Sequence, residues 1–128
     1  MQKNLLLSLI LTANIFLNTG CIAMMLGAAM GAGGVAYFMG DLVKNLDHPV
    51  KDVHKATLRA LKELHILVLD DDVDAHLARF KAKLEDGRDV SIYVKAFTEK
   101  ASKIKIRVGV VGDELEANKI LNAIEKKL

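Results

Sequence analysis

The chain has 128 residues, of which 52% are hydrophobic and 27% charged, and its formal net charge is +2 at pH 7. This length suits one domain, and a charge so close to balance gives no whole-molecule attraction to nucleic acid. The single cysteine, Cys21, excludes an internal disulfide. Apolar and small residues dominate before Met39, whereas charges occur throughout from Asp41 onward, which indicates an N-terminal segment followed by a folded domain.

The first twenty residues have the features of an export signal. Lys3 is followed by the apolar run 5–17, LLLSLILTANIFL. This run is too short to span a bilayer comfortably and has the length of a signal-peptide core. We therefore expect residues 1–20 to be a lipoprotein signal peptide that is removed from the mature protein.

The residue after this segment is a candidate lipidation site. The string LNTGC, which ends at Cys21, resembles a lipobox, at which the cysteine is lipid-modified and becomes the N-terminus. The position three before the cysteine is usually a large aliphatic residue and is Asn18 here. The alternative is an uncleaved signal anchor with an incidental cysteine. We expect Cys21 to carry acyl and diacylglycerol chains that hold the protein stably on a membrane.

Residues 21–34 are small and apolar and are expected to form a lipidated Gly/Ala-rich tether. Ala23, Gly27 and Gly31 recur every fourth residue, which also suits a membrane-associating helix, and insertion of residues 22–39 is a further alternative. By resemblance to enterobacterial lipoproteins, Ile22 after the cysteine favours the outer membrane over the inner one.

The rest of the chain, residues 35–128, predicts a single α+β domain. Alternating or helical apolar periodicity predicts seven elements, with Val110 on the inner face of the last strand and Leu115 on that of the last helix. In chain order they are a strand at 35–43, a helix at 50–64, strands at 66–69, 75–85, 89–98 and 103–110, and a helix capped by Asp113. The order β-α-β-β-β-β-α predicts a two-layer sandwich, an antiparallel sheet with two helices on one face.

The polar face of this sheet is a candidate binding surface. Tyr93 and Phe97 are predicted to share it with seven cations, namely Arg79, Lys81, Lys83, Lys95, Lys103, Lys105 and Arg107. Like charges opposite each other cost stability, so their accumulation suggests a role in binding. Anionic lipids or an acidic envelope protein are the expected partners, and nucleic acid is not. The alternative is a solvated face whose lysines protect the strand edges.

Motifs for catalysis, cofactors and metals are absent from the sequence. No serine lies in a G-x-S-x-G setting and no phosphate-binding glycine loop occurs. Asp70, Asp71, Asp72 and Asp74 do not begin a calcium loop, since Ala75 and Lys81 stand where glycine and glutamate are required. We read them as a polar turn. His48, His54, His65 and His76 show no ligand spacing. The sequence therefore predicts no enzyme, no cofactor and no metal.

Two functions fit this pattern. The first is a membrane-anchored interaction module that uses the basic sheet face. The alternative is a carrier of a small apolar ligand between helices and sheet, because the small residues Ala78, Ala82 and Ala96 lie on the inner face. Either function fits a protein of the bacterial envelope, on the outer membrane and facing the periplasm or the cell surface.

Several stretches together carry a family resemblance. They are the segment GCIAMMLGAAMGAGGVAYFMGDL, the helix PVKDVHKATLRALKEL, the hairpin DGRDVSIYV and the ending IRVGVVGDE…ILNAIEKKL. In this order they resemble the bacterial lipoproteins of domain-of-unknown-function family 3568. The resemblance implies an envelope lipoprotein of the same small fold and implies no reaction.

Overall fold

The computed structural model describes residues 34–128, together with Gln2 and Asn4. Residues 5–33, which hold Cys21 and most of the predicted signal peptide and tether, lie outside the described residues. The eight elements are β1 (Val35–Phe38), β2 (Asp41–Leu46), α1 (Val50–Glu63), β3 (Leu67–Val73), β4 (Leu77–Lys83), β5 (Asp89–Ala96), β6 (Ser102–Val108) and α2 (Glu114–Glu125). Neither of the two helices in the described part is long and apolar enough to cross a membrane.

The six strands form one antiparallel sheet in the order β1-β2-β6-β5-β4-β3. The two helices contact each other and pack against the sheet, α1 over β3, β4 and β5 and α2 over β6 and β2. The predicted fold class, an α+β sandwich with an antiparallel sheet, is confirmed.

The core lies between the helices and the sheet and follows the strand alternation. Leu42, Ile106, Ile92 and Phe80 are cross-strand neighbours and are each no more than 1% exposed. Side chains from both helices, including Leu61, complete the same cluster. Truncating one of these large side chains to alanine would cost about 2–5 kcal/mol, so this layer dominates the stability of the domain.

The predicted first strand is wrong in one respect, because it is two strands. Met39 and Gly40 have positive φ angles, 51° and 87°, and reverse the chain between β1 and β2. A glycine adopts such a φ without the steric cost that a side chain imposes. The resulting hairpin places β1 at one edge of the sheet.

The predicted acidic turn at Asp70–Asp72 is also wrong. The strand begun by Leu67 continues through these residues to Val73, and the turn follows at Asp74, whose carboxylate accepts from the backbone N–H groups of His76 and Leu77. β3 is the other edge strand, where charged side chains are tolerated because they remain in water. A register shift at Leu69 separates the two ends of its pairing with β4.

Two predicted core residues near the C-terminal helix are exposed. Gly109, with φ of 72°, ends β6, and Val110 beyond it is 91% exposed. Leu115 in the first turn of α2 is 83% exposed. The predicted cap of this helix is confirmed, since the Asp113 carboxylate accepts from the Glu116 N–H at 3.0 Å.

Candidate functional site: the open face of the sheet

The candidate site is the side of the sheet that faces away from both helices, called the open face below. Its residues alternate with the buried residues of β4, β5 and β6. The strand register places the predicted site residues on it, namely Arg79, Lys81, Lys83, Tyr93, Lys95, Lys103, Lys105 and Arg107. Phe97, which follows β5, is 55% exposed and contacts Lys103.

The register brings unlike side chains together in rows across the strands. Tyr93 lies between Arg79 on β4 and Lys105 on β6. One row further along, Lys95 stands directly opposite Lys103. Like charges in directly opposed positions destabilise a sheet, so this pair is retained at a cost to the fold.

Carboxylates neutralise part of the open face. Asp72 of β3 accepts from Arg79 Nη2 at 3.0 Å, and Asp89 lies 3.4 Å from Lys83 Nζ. Counting Asp41 and Asp70, the face holds four carboxylates against seven cations. Asp41, Asp70 and Asp72 were missed from the sequence because their place on the face depends on the pairing of β2 and β3. Asp89 was also missed, although the alternation of β5 places it on this face.

Arg107 performs a structural task on this face. Its Nε donates to Asp41 Oδ1 at 2.7 Å, its Nη1 to the Val110 carbonyl at 2.9 Å and its Nη2 to the Met39 carbonyl at 2.6 Å. These bonds join the β1–β2 turn to the loop after β6. A guanidinium with these donors engaged is a poor binder of an external anion.

Three cations on the inner strands β4, β5 and β6 keep their charge available. Among residues 34–128, no carboxylate oxygen lies within ion-pair distance of Lys81, Lys95 or Lys103. Lys103 Nζ lies 4.7 Å from the centre of the Phe97 ring. A cation held against an aromatic ring can still bind an anion on its other side.

Lys105 and Tyr93 form a second cation–aromatic contact, with Nζ 5.4 Å from the ring centre. Lys105 also approaches Asp41 at 3.5 Å. Tyr93 is 42% exposed. The open face therefore combines exposed aromatic rings with cations of different availability.

A cavity of about 300 Å³ lies on the open face between β3 and β5. It is lined by Asp70, Asp72, Arg79, Phe80, Lys81 and Tyr93. Lys81 and Asp70 are cross-strand partners, but their charged groups do not form an ion pair with each other. Both charged groups remain free to meet a ligand.

The residues on which the carrier alternative rests have different surroundings. Ala78 and Ala82 are fully buried in the core, where the layer between helices and sheet is filled by side chains of the apolar cluster. Ala96 lines an open groove of about 650 Å³ at the end of the sheet, beside the N-terminus of α1 and the loop after β5. The carrier alternative expects its ligand between the helices and the sheet, and this groove lies elsewhere, at the end of the sheet.

The acidic and histidine residues singled out from the sequence are distributed over different contacts. His54 Nε2 lies 2.8 Å from Asp71 Oδ2, and the His54 ring stacks on Phe80. Hydrogen bonds from the His76 and Leu77 backbone lower the pKa of Asp74 below its ordinary value of 3.8. Within the described residues, no group of three or more His, Cys, Asp or Glu side chains is placed to hold a metal ion.

The fold and this face define a small α+β domain with a cationic, aromatic-bearing sheet surface. The chain belongs to the family described as "Protein of unknown function (DUF3568)", whose model matches residues 4–127. The family resemblance seen in the sequence is thereby confirmed. Comparison with curated proteins gives no match.

Proposed function

We propose that this chain is a lipid-anchored lipoprotein of the bacterial envelope whose open face binds an anionic envelope component without catalysing a reaction. The anchor would be the lipid on Cys21, which becomes the N-terminal residue when residues 1–20 are removed. The outer membrane is the expected location of the protein. The sequence supports this anchor through the apolar signal core and the LNTGC string.

One observation carries the binding proposal: the inner strands of the sheet retain cations on the open face that the described part of the domain does not neutralise. Lys95 and Lys103 are direct cross-strand partners, although alternating charges would stabilise the sheet better. Proteins often accept reduced stability at functional surfaces. An anionic partner would remove this repulsion and gain charge-assisted hydrogen bonds.

A variant with Lys81→Gln, Lys95→Gln and Lys103→Gln tests this proposal. The full-length lipidated protein is used to capture components from envelopes of its own cell, and capture by the wild type should weaken as salt is raised. The variant should lose most of this capture. Its free energy of unfolding should be equal to or above that of the wild type, because the Lys95–Lys103 repulsion is gone.

The matched control replaces Lys51, Lys55 and Lys62 with glutamine. These exposed lysines lie on α1, so the control makes the same change in net charge on the other side of the domain. It should capture as the wild type does. Equal capture by the wild type and both variants would contradict the proposed role of the open face.

The anchor is tested separately with Cys21→Ser. Cells labelled with a radioactive fatty acid should incorporate label into the wild type and not into this variant. Labelling of the Cys21→Ser protein at the wild-type level would show that Cys21 is not the lipidation site.

A further inference from the structure

We propose that the cavity bounded by Asp70, Asp72, Arg79, Lys81 and Tyr93 binds a phosphorylated sugar. This inference rests on the proposed function, because it assigns a ligand class to one part of the open face. The cavity has about 300 Å³, which is at the lower end of the range for small-molecule sites and suits one sugar ring with its phosphate.

The aromatic side of the cavity is Tyr93. Its ring is 42% exposed and lies between the register partners Arg79 and Lys105. Neighbouring strands are about 5 Å apart, so cations stand on both sides of an exposed aromatic ring. A sugar can place its apolar C–H face against such a ring while a phosphate on it reaches a cation.

The cationic side of the cavity has unused donors. Lys81 Nζ has no carboxylate partner among residues 34–128, and Arg79 is bound to Asp72 through Nη2 alone. Arg79 is also half exposed, with 54% of its side chain accessible. Both cations can donate to phosphate oxygens, and such charge-assisted bonds are the stronger kind.

The carboxylates decide between classes of ligand. Asp70 and the second oxygen of Asp72 can only accept hydrogen bonds, so they would repel a bare anion and would bind hydroxyl groups. An uncharged sugar would leave Lys81 without a matching group. A ligand that carries both hydroxyl donors and an anionic group satisfies both sides of the cavity.

The test uses the full-length protein in detergent micelles and three probes: glucose 6-phosphate, inorganic phosphate and glucose. Binding is followed by NMR shifts of the Tyr93 ring protons and nearby amides. Glucose 6-phosphate should bind about tenfold more tightly than either other probe, because only it meets both the hydroxyl acceptors and the cations.

Two variants probe the sugar-binding half. Tyr93→Ala and Asp70→Asn should each weaken glucose 6-phosphate binding several-fold and leave the weak binding of inorganic phosphate unchanged or, for Asp70→Asn, improved. The matched controls are Phe38→Ala, an exposed aromatic ring on β1 that does not line the cavity, and Asp47→Asn, an exposed carboxylate outside the cavity. Both should bind glucose 6-phosphate as the wild type does.

Equal affinity for glucose 6-phosphate and inorganic phosphate, or no effect of Tyr93→Ala, would overturn the sugar assignment. Absence of any shift at Tyr93 would do the same. In each case the binding of an anionic envelope component would stand if the lysine variant still loses capture. Failure of that variant to lose capture would instead refute the proposed function.

Discussion

Replacing Gly112 with alanine should destabilise the domain much more than replacing Gly87 with alanine. Both glycines have positive φ angles, 95° and 89°, so both substitutions force an L-residue into a disfavoured backbone conformation. This shared penalty is about 1–2 kcal/mol. The surroundings of the two residues differ, and this difference determines how much more stability Gly112→Ala loses than Gly87→Ala.

At Gly112, an added Cβ would lie 2.4 Å from Gly40 Cα, 2.5 Å from the Gly40 carbonyl oxygen and 2.6 Å from the Tyr37 hydroxyl. Two of these atoms are backbone, so relief requires the β1–β2 turn to move away from the loop before α2. Overpacking of this kind adds about 1–3 kcal/mol. At Gly87, nothing lies within 4 Å of the added Cβ, and the backbone penalty stands alone.

We therefore expect Gly112→Ala to lower the free energy of unfolding by about 2–5 kcal/mol and Gly87→Ala by about 1–2 kcal/mol. Urea unfolding followed by far-UV circular dichroism measures both. Small domains have only about 5–15 kcal/mol of stability, so Gly112→Ala should be visibly less stable at ordinary temperature. Equal losses in the two variants would contradict this prediction, because they would show that the close approach of Gly40 and Gly112 does not constrain the fold.

Three further predictions concern other contacts of the domain. Arg107→Met should lower the free energy of unfolding, measured in urea, by about 2 kcal/mol, because three charge-assisted hydrogen bonds of a partly exposed group are lost. Arg79→Met loses one exposed ion pair and should lower it by less than about 0.5 kcal/mol; equal losses would contradict the structural role of Arg107. Leu115→Ser should change stability by less than about 0.5 kcal/mol, whereas Leu121→Ala should cost about 3 kcal/mol; a large effect at Leu115 would show that it is buried after all. The hydrogen bond from the Glu116 N–H, and then that from Arg88, hold the pKa of Asp113 below its ordinary value of 3.8, so the Asp113 carboxylate stabilises the fold above that pH and ceases to do so as the pH falls through the lowered pKa. Melting temperatures measured between neutral and acid pH should therefore fall less steeply for Asp113→Asn than for the wild type, and parallel profiles would contradict this.

Much of the fold could be predicted because strand alternation and helix periodicity are strong in this chain. The inward positions Phe80, Ile92 and Ile106 follow directly from the two-residue period. Two of the errors, at the ends of β1 and β6, arose where one residue changes the direction of the backbone. Met39 and Gly109 both adopt positive φ angles. Met39, together with Gly40, ends β1, and Gly109 ends β6, but the apolar pattern of the sequence shows neither strand end.

The candidate site could be predicted only in part. Alternation places Lys81, Lys95 and Lys105 on one face without any knowledge of pairing. Which cations are neutralised depends on which strands are neighbours, and β2 is distant in sequence from β6, the strand with which it pairs. Asp41 therefore reaches Arg107 through a contact that spans most of the domain, and such contacts leave no local signal.

The acidic edge strand β3 also bears on how copies of the chain behave when crowded. An open sheet edge can template pairing with a second molecule and lead to aggregation. If two β3 strands approached edge to edge, their aspartates at 70–72 would be brought together, and the register shift at Leu69 would interrupt a continuous ladder. The opposite edge, Val35–Phe38, has only four residues. Both edges of the described sheet therefore have features that oppose edge-to-edge growth of copies into fibres.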